Sequence, residues 1–156
     1  MKIKTVYLAG GINGLSDADA NDWRTQVKAL LPREIGVLDP MSRDYRGKED
    51  ENVKAIIDGD LADIKQCEAI IAYCPRPSWG TAMELHWSHE HSAITLESGG
   101  NDYEPSTRIT LGYRKTVAVV PEGVAVSPWL RHHVTTVVTT IEAAVEAVSA
   151  WNEASA

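Results

Sequence analysis

An α/β domain with a doubly wound, about five-stranded parallel sheet flanked by helices, Rossmann-like or flavodoxin-like, is the fold class this sequence predicts. Three observations carry it. Short apolar runs rich in β-branched residues recur along the chain: Ile3 to Ala9, Ile35 to Leu38, Ala69 to Tyr73, Thr116 to Val120 and Thr135 to Thr139. Stretches of helical periodicity alternate with them. No internal repeat or linker interrupts the alternation, so residues 1–156 read as one domain.

The first strand runs into Gly10-Gly11-Ile12-Asn13-Gly14, a turn whose backbone can approach a ligand closely, though without dinucleotide-fingerprint spacing. Ser16 or Asp17 caps a helix to about Leu31, with Trp23, Val27, Leu30 and Leu31 as its apolar stripe; Pro32 ends it. Asp39-Pro40 closes the second strand. Met41 to Asn52 is polar, charged and without period. It reads as a loop with a solvated face, Arg43, Asp44, Tyr45 and Arg46 being its lesser candidates to reach a site. Val53 to Cys67 has a helical pattern, with Ile56, Ile57, Leu61 and Ile64 toward the core and Gly59 as an interior cost. On pattern alone, Asp60 and Asp63 face solvent.

After the third strand, a Pro-rich turn leads to Ser78, Gly80 and Thr81 and a helix from Thr81 to about Ala93. Glu84 then falls in the first turn, near unpartnered amides and the positive end of the helix dipole. That position favours a carboxylate ionised at neutral pH and facing a pocket above the sheet edge. Spacing alone equally allows an ordinary first-turn glutamate. Leu96 to Arg114 reads as a loop-like insertion, a flap or small hairpin, on its Gly, Asn, Asp and Pro content. Ser127-Pro128-Trp129 opens a short helical turn, and Ile141 to Trp151 forms an amphipathic last helix.

A net charge of -7 without a Lys/Arg cluster argues against a nucleic-acid polymer or an anionic membrane as partner, while leaving room for a small anionic ligand. Apolar residues make up 44% of the 156, enough for one core. Cys67 and Cys74 read as reduced packing residues. With no stretch long enough to span a membrane, the expectation is a soluble, cytoplasmic protein. His86, His89 and His91 share a helix without a carboxylate to complete a metal motif, and His132-His133 reads as surface or interface. No metal and no cofactor are expected.

Ligands of open α/β sheets bind beyond the carboxyl ends of the strands. Tyr7 to Gly14, Pro75 to Glu84 and Pro121 to Ser127 converge there. Together they supply a carboxylate, a phenol, two serines and free amides, and Asp60 can join them. In order and spacing, Tyr7-Leu8-Ala9-Gly10-Gly11, Asp60-Leu61 and Ser78-Trp79-Gly80-Thr81-Ala82-Met83-Glu84 resemble the nucleoside 2-deoxyribosyltransferase superfamily. That superfamily also includes the 2'-deoxynucleoside 5'-monophosphate N-hydrolases. The likeness spans the chain outside Leu96 to Arg114.

The resemblance implies Glu84 as the nucleophile forming a covalent glycosyl-enzyme, Tyr7 as its positioning phenol, and Asp60 as proton donor to the leaving base. It implies substrate contacts around Gly10, Gly11, Asn13, Ser78, Gly80, Thr81 and Ser127. Transferases of free nucleosides typically carry aspartate where this chain has Ser78. The hydrolases carry serine there and another matching Ser127, which reaches the phosphate in the neighbouring subunit's site. Asn13 departs from the hydrolases' arginine. The expectation leans to a nucleoside 5'-monophosphate N-glycosidase, with a free-base-exchanging deoxyribosyltransferase and a non-catalytic nucleotide sensor as alternatives. A homodimer or higher homo-oligomer with shared sites is implied, with Trp129 and Trp151 equally readable as interface anchors or core.

Overall fold

A computed structural model describes residues 1–98 and 107–154. In chain order the elements are β1 (Thr5–Gly10), α1 (Asp17–Leu30), β2 (Gly36–Leu38), a 3-10 turn (Pro40–Arg43), α2 (Glu49–Gln66), β3 (Ala69–Tyr73), α3 (Trp79–Glu90), β4 (Ala93–Ser98), β5 (Thr107–Tyr113), β6 (Lys115–Val119), α4 (Pro128–His133), β7 (Thr136–Val138) and α5 (Ile141–Glu153). Five strands form a parallel sheet in the order β2-β1-β3-β6-β7. This is the doubly wound order whose direction of winding reverses between β1 and β3.

Because strand side chains alternate between faces, β1 feeds two cores at once. Val6 and Leu8 pack with Trp23 and Val27 of α1 and with Val145 and Val148 of α5. Tyr7 and Ala9 point the other way, among Ile64 of α2, Leu85 of α3, and Ile70 and Ala72 of β3. The phenol of Tyr7 thus lies on the face that α3 covers.

Several sequence expectations change. Leu30 is exposed, because the stripe of α1 runs through Ala20, Trp23, Arg24 and Val27. Trp23 takes its place beside Gly10: a Cβ there would stand 2.6 Å from the indole, so packing demands that glycine, whatever binds nearby. Ile57 is exposed and Ile56 only half-buried, leaving Leu61 and Ile64 to anchor α2. The expected loop 41–52 contains the 3-10 turn, capped by the Asp39 carboxylate accepting from the Met41 amide at 3.0 Å, and the start of α2. Non-helical Asn52 separates that first turn of α2 from the remainder.

The expected insertion is in part an antiparallel hairpin of β4 and β5. Ala93-Ile94-Thr95-Leu96 and Thr107-Arg108-Ile109-Thr110 mix β-branched and apolar residues, a strand signal outweighed in the sequence by the turn residues between them. Residues 99–106 of that expectation lie outside the described residues. Arg114, the single residue that joins β5 to β6, is not solvent-facing. Buried at the hairpin's foot, it donates to the carbonyls of Cys67 and His91, each at 3.1 Å. Among the described residues, no helix is long and apolar enough to cross a membrane.

Candidate active site

The site lies beside β1 and β3, where the direction of winding reverses. Ser78 caps α3, accepting weakly from the Thr81 amide at 3.5 Å and from the Thr81 hydroxyl at 3.2 Å. The cap starts the helix at Trp79, so Glu84 belongs to the second turn and not the first. Thr81, Leu85 and Ser88 form the buried stripe of α3, and Glu84 lies along its border facing β1. There the Tyr7 hydroxyl donates to Glu84 Oε1 at 2.6 Å.

Two corrections follow for Glu84. It is beyond the free amides of the helix start, and burial raises its carboxyl from the usual range to about 8. The Tyr7 hydrogen bond and the Arg24 charge oppose that rise, and the Asp60 charge adds to it. Glu84 is therefore mostly protonated at neutral pH, contrary to the expectation of an ionised first-turn group. Tyr7, fully buried, is driven upward by burial and then by the Glu84 charge, so it remains a phenol and a donor.

Asp60 and Asp63 do not face bulk solvent. Arg43, from the 3-10 turn, donates to Asp60 Oδ1 at 3.0 Å and to Asp63 Oδ2 at 2.6 Å. Its guanidinium lies flat against α2 at Gly59, where a Cβ would stand 2.8 Å from Arg43 Nε. The interior glycine thereby has a reason. Burial raises the Asp60 carboxyl, and Arg43 pulls it back down. A cavity of about 100 Å³ opens beside this pair, lined among others by Ile12, Asn13, Tyr45, Arg46 and Asp60. Asp60 connects that cavity electrostatically to Glu84 and Tyr7.

The fold thus gathers Glu84, Tyr7 and Asp60, with Asn13 on the cavity wall. Gly11 comes near Ser78, whose hydroxyl lies 3.9 Å from where a Gly11 Cβ would stand. Gly80 and Thr81 occupy the first turn of α3. Ser127 is apart from them: it is exposed, capping α4 through the Trp129 amide at 3.2 Å. Trp151 packs against the core, whereas Trp129 is exposed.

Sequence reasoning missed Arg24. It is buried on α1 and donates to the Gly10 carbonyl at 3.1 Å and to the Ala20 carbonyl. Its Nε faces Asp39 Oδ1 at 3.2 Å without hydrogen-bond geometry. The signal was present: Ala20, Arg24 and Val27 share one face at helical spacing, so an arginine stood inside the apolar stripe.

Replacing Tyr7 by Phe removes the hydroxyl that donates to Glu84. The same change should move the Glu84 titration to higher pH, because the hydroxyl favours the charged form. Carboxyl titration of the variant against the parent, followed by NMR, checks this.

No protein-family profile matches the chain, and no curated protein matches it in sequence. Solved structures do. A 2-deoxyribosyltransferase from the psychrotolerant bacterium Bacillus psychrosaccharolyticus superposes with a TM-score of 0.63 at 14% identity, over 90% of each chain. The Clostridium botulinum CMP N-glycosidase BcmB superposes with a TM-score of 0.56, also at 14% identity, over 94% of this chain and 99% of that one. The five-stranded parallel sheet with its flanking helices is the fold of both.

Proposed function

We propose that this chain belongs to the nucleoside 2-deoxyribosyltransferase superfamily and cleaves the N-glycosidic bond of nucleosides or their 5'-monophosphates. The observation that carries the reading is the 2.6 Å Tyr7–Glu84 pair between β1 and α3, in a fold shared with two enzymes of such chemistry. An N-glycosidic bond breaks through an oxocarbenium-like state that needs a carboxylate at C1' and a proton for the departing base.

In the free protein burial keeps the proton on Glu84, while the Arg43 ion pair opposes the burial that raises Asp60. A base entering the cavity displaces Arg43 from Asp60, and the desolvated Asp60 then takes the proton that Glu84 gives up. Glu84 attacks C1', the C1'–N bond breaks, and the base leaves with the proton from Asp60. Water or a second base next attacks C1', giving its proton back to the Asp60 carboxylate, and the C1'–Glu84 bond breaks. An unpaired carboxylate of this kind has no use in a pure sensor, which disfavours the non-catalytic alternative.

The leaning is to 5'-monophosphates, because Ser78 leaves no carboxylate to repel phosphate. Oligomerisation fits the surface. Trp79, Met83, Trp129, Val53 and Ile57 stand exposed on α2, α3 and α4, and Ser127 lies there too, free to serve a neighbouring subunit. We place the protein in the cytoplasm, in nucleotide salvage or clearance.

Product analysis tests the reading: each deoxynucleoside and each 5'-monophosphate is incubated with the protein, with and without a second free base. Base released from monophosphates alone supports the N-glycosidase. New nucleoside formed only with acceptor base supports the transferase, and no turnover of either overturns the enzymatic reading. Within this, Ser78→Asp should lower kcat/KM for monophosphates at least about tenfold relative to free nucleosides through charge repulsion. The fold should survive, aspartate being an equally good helix cap.

A further inference from the structure

Away from this site, α3 and α4 bring together four imidazoles from two segments that are remote in sequence. The ring centroids of His89, His132 and His133 form a triangle with all three sides 5.0 Å. His86 lies 5.2 Å from His133. Two imidazoles bound to one tetrahedral zinc, with Zn–N near 2.0–2.1 Å, have ring centroids roughly 5 Å apart. Rings at this spacing can share one ion once their nitrogens turn toward it.

Hydrogen bonding fixes which nitrogens face inward. His133 Nδ1 lies 2.7 Å from the Trp129 carbonyl, an acceptor only, so Nδ1 carries the proton and Nε2 of the neutral ring is a bare lone pair. That Nε2 meets His86 Nδ1 at 3.1 Å. A histidine whose second nitrogen donates to a backbone carbonyl is oriented as metal-binding histidines are. The carboxyl end of α4, where His132 and His133 stand, also favours a cation.

As the rings stand, no three of these donors are set to hold a metal among the described residues. Closing the set requires turning the rings of His89 and His132, which are exposed and touch the rings of this cluster. His86 must also move its proton from Nδ1 to Nε2, through solvent.

We propose that His86 and His133, joined by His89 or His132, bind one divalent transition-metal ion such as zinc and pin α4 to α3. The ion would be structural, fixing the helix that Ser127 caps relative to the helix that bears Glu84. The proposal does not depend on the enzymatic reading.

The test is calorimetric titration of zinc into the full chain, without a histidine tag and stripped by chelator, with thermal melting beside it. The expected result is one ion per chain and a raised Tm. His133→Ala and His86→Gln should each weaken binding about tenfold or more. His91→Ala should bind as the parent does, its ring being held apart by stacking on Trp87 and by the Trp87 carbonyl. Far-UV circular dichroism confirms that each variant is folded, and two independent variants guard against a folding defect in one. The proposal is overturned by no saturable binding up to millimolar zinc, by undiminished affinity in the folded variants, or by one ion shared between two chains.

Discussion

Glu84→Gln is expected to abolish base release, lowering kcat by roughly three orders of magnitude or more, while making the protein more stable at pH 8. Glutamine keeps an oxygen for the Tyr7 hydroxyl to donate to but cannot attack C1'. The stability effect follows from the raised carboxyl. A glutamate ordinary when unfolded, near 4.5, but about 8 when folded binds its proton more tightly in the native state. Stability is therefore full below about pH 4.5, falls as pH rises between these values, and levels off above 8. Glutamine mimics the protonated group at every pH. The variant should match the parent near pH 4.5 and exceed it by on the order of 1–3 kcal/mol at pH 8, discounted for partial solvent access. Urea denaturation at the two pH values reads this difference. A variant less stable than the parent at pH 8 would show that the site does not strain against ionisation.

The parent's pH–rate profile carries the matching statement about mechanism. On the proposed mechanism, Glu84 and Asp60 are a pair that must hold one proton between them, so its two apparent pKa values belong to the pair. Above about pH 8 the last proton is gone, no acid remains for the leaving base, and kcat/KM should fall about tenfold per pH unit. Activity that climbs to a plateau beyond pH 9 would exclude Asp60 as the acid.

The second large effect is expected at Arg24. Arg24→Met should cost about 3–5 kcal/mol of stability, because it leaves the buried Asp39 with the half-exposed Lys28 as its remaining ion-pair partner. It also deprives the Gly10 carbonyl of a donor. Adding Asp39→Asn should recover part of that loss, since the cost lies in the stranded charge and not in the missing contact. Denaturant curves of the single and double variants measure it. The single variant should also shift the alkaline limb of kcat/KM upward, because the Arg24 charge favours ionised Glu84. Unchanged stability in Arg24→Met would mean that water reaches Asp39 freely.

The parallel sheet and the helices on both its faces were legible because each rests on local signals. Apolar runs bounded by turns mark strands, and Ser16 caps α1 where the sequence says it should. The hairpin β4–β5 was less so, since its strands are separated by residues that read as turn. Periodicity placed Ile57 inward, but the inner surface of α2 is narrower than its apolar stripe, and only Leu61 and Ile64 find a core.

What the sequence by itself determined is the alternation of strands and helices, and the set of polar groups at the strand ends from which a site is built. Only the tertiary structure decided their chemical state. Whether Glu84 carries a proton, Asp60 an arginine and Arg24 a buried partner depends on desolvation and on charges contributed by other elements. A carboxyl's pKa is set by what surrounds it within a few ångströms. Those neighbours come from β1, α1, α2 and the 3-10 turn, which the chain brings together only by folding.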